Sequence, residues 1–184
     1  MKFTKMHGIG NDYIYVNCFE EKVKNPEAVS IYVSDRHKGI GSDGLVLILP
    51  SDKADFRMRI FNADGSEAMM CGNATRCIGK YVYDKGMTDK TEITLETNSG
   101  IKYLTLFPEN GKVEYVEVDM GKAVIVPKDI PVMAEGESFI SVPVEVGGIE
   151  YKITCVSMGN PHAVVYLDNI ADLELEKMGP LFEN

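Results

Sequence analysis

The absences in this chain narrow its function before any motif is read. Its 184 residues contain no long basic block, and 19 Lys and Arg against 28 Asp and Glu leave a formal net charge of −9 and a pI near 4.9. That balance argues against a nucleic-acid partner, because holding a phosphate backbone requires clustered cations. No apolar run approaches the roughly 20 residues of a membrane-spanning helix, since the longest uninterrupted aliphatic stretch is Leu45 to Leu49. Met1 to Gly10 lacks the apolar stretch of a signal peptide. The expectation is a soluble, cytoplasmic protein with no membrane partner.

Cysteine and histidine are also sparse. Cys18, Cys71, Cys77 and Cys155 are too few and too irregularly spaced for a secreted disulfide framework, and they fit a compartment that keeps thiols reduced. Cys71 and Cys77 do not have the spacing of a zinc pair, and His7, His37 and His162 cluster neither with them nor with one another. No metal is expected. The stretch from Asp35 to Gly44 is glycine-rich but lacks the Gly-Lys-Ser/Thr ending of a phosphate loop. It reads as a turn between a helix and the Leu45 strand.

What is present, 45% hydrophobic and 26% charged residues, is the composition of a folded globular chain of one large domain or two small ones. Asp55 to Phe61, Thr91 to Thr97 and Val113 to Asp119 alternate apolar and polar residues as half-buried strands do. Tyr13 to Val16, Leu45 to Leu49 and Ile101 to Phe107 are more continuously apolar. Helical spacing occurs from Pro26 to Arg36 and from Gly72 to Lys85, the second followed by Gly86 as a C-terminal cap. Beyond Asp119 the spacers become rich in Gly and Pro, and strands resume at Phe139 to Val146, Ile149 to Val156 and Ala163 to Leu167. The division expected is a first domain over residues 1–118 and the start of a second over 119–184.

The two parts share a weak repeat. Phe3 to Asp12 leading into Tyr13-Ile-Tyr-Val parallels Ile153 to His162 leading into Ala163-Val-Val-Tyr, each a strand, a Gly-Asn turn and a strand. Asn160 lies 149 residues after Asn11, and only 24 residues follow it. The second copy reads as unfinished.

Chemistry concentrates between Phe61 and Cys77. An alternating strand, an Asp-Gly turn and then Cys71 open an amphipathic helix. Unpaired N–H groups at a helix start stabilise a thiolate and can hold a carboxylate. Gly72 leaves the backbone open to a ligand, and Asn73 offers both a donor and an acceptor. A cysteine is ordinarily a small buried hydrophobe, and that reading fits Cys77 on the apolar stripe with Ala74, Ile78 and Tyr81, as it does Cys18 and Cys155. For Cys71 the packing reading and the reactive reading stand level. Asn11, Asn62 and Asn160 each sit beside a glycine or a turn, where turn chemistry alone favours asparagine. Together they also form the set of neutral amides that a zwitterionic amino acid requires.

Five segments in order, Met6-His-Gly-Ile-Gly-Asn-Asp12, Arg36 to Gly44, Phe61-Asn-Ala-Asp-Gly-Ser-Glu67, Cys71-Gly-Asn73 with Arg76-Cys77, and Gly159-Asn-Pro-His162, closely resemble the diaminopimelate epimerase family. The resemblance implies an α+β fold of two pseudo-symmetric domains, each a mostly antiparallel, barrel-like sheet around a central helix, the second truncated in this chain. It implies an isomerase of lysine biosynthesis that interconverts LL- and meso-diaminopimelate without cofactor, through two thiols on opposite faces of the α-carbon. By the same resemblance Cys71 is a catalytic cysteine, His162 supports activity, and Asn11, Asn62, Gly72, Asn73 and Asn160 contact substrate. The partner is then a small amino-acid substrate, and the oligomeric state stays open, a homodimer included. Gly44 stands where some members carry Gln.

On the repeat offset, the counterpart of Cys71 is expected near residue 220, so the 184-residue chain alone is expected to be inactive. Two other functions fit the same sequence: another racemase or isomerase of this fold, such as proline racemase or the phenazine-pathway isomerase, and a non-catalytic amino-acid-binding module. A cysteine hydrolase would need a general-base histidine that no motif supplies.

Overall fold

The computed structural model describes residues 1–183, which fall into two compact units, Met1–Met120 and the residues from Gly121 onward. The first unit carries β1 (Thr4–Gly8), β2 (Asn11–Asn17), α1 (Pro26–Ser34), β3 (Gly44–Leu49), β4 (Phe56–Asn62), β5 (Glu67–Ala68), α2 (Gly72–Asp84), β6 (Glu92–Thr97), β7 (Gly100–Glu109) and β8 (Lys112–Asp119). One sheet runs in the order β1-β2-β3-β4-β6-β7-β8, with β5 pairing on β4. Neighbours are antiparallel except β2 with β3 and β4 with β6. A parallel pair needs a long crossover, and these two crossovers carry the helices. α2 packs on β1 at one end of the strand order and on β7 and β8 at the other, so the sheet curls around it. α1 covers β3 and β4 from the opposite face.

Residue periodicity explains both layers. On β2 and β3, Tyr13, Tyr15, Val46 and Ile48 face the core around α2, while Ile14, Val16, Leu45 and Leu47 join Val33 of α1 in a second core. Burial on both faces is why these strands read as continuous apolar runs. β4 alternates as expected over Phe56–Ile60 and departs from that pattern at Phe61. Phe56, Met58 and Ile60 face α2, but Phe61 is fully buried in the α1 layer, and Arg59 is partly covered in an ion pair with Glu67 at 2.7 Å. β7 was the reverse case. Ile101, Tyr103 and Phe107 are exposed while Lys102, Leu104 and Leu106 are buried, so this strand has one wet face.

Element ends differ for local reasons. α1 stops at Ser34, two residues before the expected Arg36, because the Asp35 carboxylate accepts hydrogen bonds from the backbone N–H groups of His37 and Lys38, each at 2.8 Å. Such a turn competes with continued helix. α2 closes with Gly86 at φ +67°, where the helix cap was expected.

The second unit holds a 3₁₀ turn (Pro127–Asp129), β9 (Val142–Val146), β10 (Ile149–Ser157), β11 (Pro161–Val165) and α3 (Leu175–Glu183). Its sheet is antiparallel in the order β11-β10-β9, packed around Ile130, Ile153 and Cys155. β9 begins at Val142 rather than Phe139, since Ser141 has φ +52° and breaks the extended chain. β11 starts at Pro161, where Ser157 pairs it across the turn, and ends at Val165 instead of Leu167. The two copies of the sequence repeat form antiparallel hairpins, β1 with β2 and β10 with β11. No described helix is long and apolar enough to cross a membrane.

Candidate active site

Register places the ends of three strands of the first unit at one rim. Tyr13 pairs with Gly44, and Gly44 with Asn62. The β1–β2 turn meets the start of α2 at the same place, where a Cβ on Gly8 would lie 3.1 Å from Asn73 Cβ. Glycine at position 8 allows this close approach without displacing Asn73.

Cys71 is the N-cap residue of α2, in extended conformation (φ −143°, ψ 115°), and its side chain makes no capping bond. The thiol therefore leaves the first N–H groups of the helix to a ligand. Cys71 Sγ donates to Oδ1 of Asn11 at 3.5 Å, and Asn73 Nδ2 donates to the same oxygen at 3.4 Å. Arg76 donates from Nη2 to Oδ1 of Asn73, fixing that amide in turn. Asn11, Cys71, Gly72 and Asn73 thus form one polar cluster at a helix N-terminus.

The other cysteines differ. Burial pushes the thiols of Cys18, Cys77 and Cys155 up from their ordinary range, which suppresses the reactive thiolate. Cys77 lies in the core between α2 and the sheet and Cys155 in the core of the second unit, while Cys18 packs at the edge of the α1 layer. Tyr13, two residues after Asn11 on the same face of β2, is buried beside Cys71. Its hydroxyl is pushed up to about 12 by burial first and by the neighbouring sulfur next.

Sequence reasoning missed a charged layer behind the cluster. Asp43 Oδ2 accepts from Asn11 Nδ2 at 2.7 Å and from the backbone N–H of Asp12 at 3.1 Å, while its Oδ1 accepts from Arg36 at 2.9 Å. Arg36 also reaches Asp12 at 2.8 Å, and Lys5 lies 3.0 Å from that carboxylate. The Arg36 hydrogen bond, and then Lys5, hold the Asp12 carboxyl down at about 2. The Asp35–Gly44 stretch is the turn expected, and it is also the scaffold of Asn11. A signal was present in the acid at position 43, but a separation of 32 positions from Asn11 conceals the pairing.

The model of the family described as "Diaminopimelate epimerase" matches residues 3–126. The chain belongs to the diaminopimelate epimerase family. Diaminopimelate epimerases from Agathobacter rectalis, Acetivibrio thermocellus and Methanococcus maripaludis are 65%, 62% and 61% identical to it, each alignment covering all of this chain. The chain spans about two thirds of their length, 67%, 66% and 66%. Among solved structures, a hydroxyproline epimerase from Agrobacterium vitis and a probable proline racemase from Agrobacterium radiobacter superpose with TM-scores of 0.63 and 0.65. Each covers 96% of this chain and 52% of its own at 16% identity, a likeness of fold.

Family residues expected outside the cluster are placed as follows. Asn62 ends β4 and spends its amide on its own turn, donating from Nδ2 to Ser66 Oγ at 2.9 Å. Asn160 and His162 lie in the second unit, exposed, in the β10–β11 turn and at the start of β11. At Gly44 a side chain is excluded, since a Cβ there would stand 2.0 Å from the Phe61 carbonyl oxygen and 2.9 Å from the Tyr13 ring. Among the described residues, no group of three or more His, Cys, Asp and Glu side chains is placed to hold a metal ion.

Proposed function

We propose that this chain supplies one half-site of a diaminopimelate epimerase, with Cys71 as one of two thiols that exchange the α-proton of LL- and meso-diaminopimelate. The observation that carries this reading is Cys71 at the head of α2, with its capping position unused and two neutral amides, Asn11 and Asn73, around it. The N–H groups of Gly72 and Asn73 take the substrate carboxylate, where the helix dipole favours negative charge. By the family resemblance, Asn62, Asn160 and His162 are further candidates for substrate contact, the last as a supporting group.

In the reaction, a thiolate on one face takes the α-proton. The Cα–H bond breaks, an S–H bond forms, and the electron pair stays on carbon beside the carboxylate. A thiol on the other face then gives its proton to that carbon and becomes the thiolate. Two bases avoid moving one base around a bound carbanion, and the fixed N–H donors stabilise the charge that develops. No cofactor enters this scheme. Its compartment is the reducing cytoplasm, because both thiols must stay free.

A second reading, a binding module that holds the amino acid without chemistry, is served by the same amides and helix N-terminus. The two separate in deuterated buffer. A protein extended over the full length of its relatives should convert LL- to meso-diaminopimelate and place deuterium at the α-carbon of the product. Substrate binding with neither exchange nor inversion would leave the module reading in its place.

A further inference from the structure

The amide of Asn11 can be oriented in two ways, and the structure settles which one holds. Its Nδ2 lies 2.7 Å from Asp43 Oδ2, and an ionised carboxylate only accepts. The NH₂ group is therefore committed to Asp43, and the carbonyl oxygen must face Cys71 Sγ and Asn73 Nδ2, at 3.5 and 3.4 Å. Asp43 is itself held in place. Its Oδ2 also accepts from the Asp12 N–H, its Oδ1 from Arg36, and its own N–H donates to the Asp12 carbonyl at 2.7 Å.

We propose that Asp43 is a positioning residue that acts through Asn11: it turns the amide carbonyl toward Cys71, so that this oxygen accepts the hydrogen bond of the thiol. A carbonyl oxygen accepts from S–H and repels S⁻, whereas the flipped amide would offer N–H to the thiolate. Resting on the two-thiol reading above, this gives the Cys71 thiol a fixed hydrogen-bond acceptor on the Asn11 side of its half-site. Other groups interact with the same sulfur: the Tyr13 and Tyr15 hydroxyls from β2, and Cys77 on α2. Of these, the Tyr13 hydroxyl also hydrogen-bonds the Asn11 side chain, but it is Asp43 that takes the amide NH₂ group.

The test follows alkylation of Cys71 by iodoacetamide against pH in the full 184-residue chain, read by peptide mass mapping and so independent of epimerase activity. Asp43→Asn, which frees the amide to flip and offer N–H to the sulfur, should raise the Cys71 rate at neutral pH about three- to tenfold. Asp12→Asn removes an equal charge from the same cluster without touching the Asn11 side chain, and it should move the rate much less. Asn11→Ala should raise the rate as Asp43→Asn does, and Asp43→Asn added to it should change nothing more, since the effect runs through one amide. Equal shifts in Asp43→Asn and Asp12→Asn, additive shifts in the double variant, or no shift at all would each overturn the proposal.

A measurement on the unsubstituted chain stands whether or not the variants fold. The side-chain amide resonances of Asn11 should follow an acid titration of Asp43, and their indifference to it would also overturn the assignment. Failure of epimerase activity in the extended protein with these shifts intact would count against the two-thiol reading alone.

Discussion

At the residue scale the four cysteines divide by surroundings. Burial raises the thiols of Cys18, Cys77 and Cys155, while Cys71 is only partly buried, at a helix start. Alkylation at neutral pH with peptide mapping should therefore label Cys71 first and Cys77 last. Preferential labelling of Cys77 or Cys18 would contradict this. Asp12 gives a second residue-scale prediction. Its carboxyl is held at about 2 against an ordinary 3.8, so the stabilisation is full above about pH 4 and is lost as pH falls toward 2. The Asp12 side chain is 16% exposed but Arg36 is 55% exposed, so solvent screening limits the gain to roughly 1 kcal/mol. Asp12→Asn should lower stability by about that amount at pH 7 and flatten the acid limb of a denaturation series. An unchanged acid limb would show that the pair contributes nothing.

At the element scale the β1–β2 hairpin stores strain. Its two turn residues, Ile9 and Gly10, have φ of +54° and +85°. Gly10 suits this geometry, but a β-branched residue does not, and Ile9 is 90% exposed. Ile9→Asn should stabilise the chain by about 1 kcal/mol in urea denaturation, and a loss of stability would mean that Ile9 makes a contact worth more than the strain. The same scale shows what was legible in the sequence. Tyr13 to Val16 and Leu45 to Leu49 read as continuous apolar runs because helices cover both faces of those strands, and the amphipathic stripe of α2 marked the helix that the sheet wraps. β4 misled because Arg57 and Arg59 made one face look wet, although Phe61 is buried on that face. The local part of the site, Cys71-Gly72-Asn73 at a helix start, was visible in consecutive residues. Asp43 and Arg36 were not, since sheet register and not sequence proximity brings them to Asn11 and Asp12.

At the scale of the whole molecule, the first unit is a curled sheet closed on α2, and the second is a three-stranded sheet whose hairpin repeats the β1–β2 motif. The chain spans about two thirds of the length of its epimerase relatives. The 184 residues alone should therefore show little or no epimerisation beside a protein of the relatives' full length, in a stereochemical assay with LL-diaminopimelate. Comparable rates would mean that one thiol suffices.

The account rests most heavily on Cys71 as a proton-transfer group, and the direct measurement is epimerisation and α-deuterium exchange by Cys71→Ala and Cys71→Ser in the full-length protein. The account predicts no turnover with alanine and at most a trace with serine, whose hydroxyl is a far weaker base than a thiolate. Full turnover and exchange by the alanine variant would contradict it.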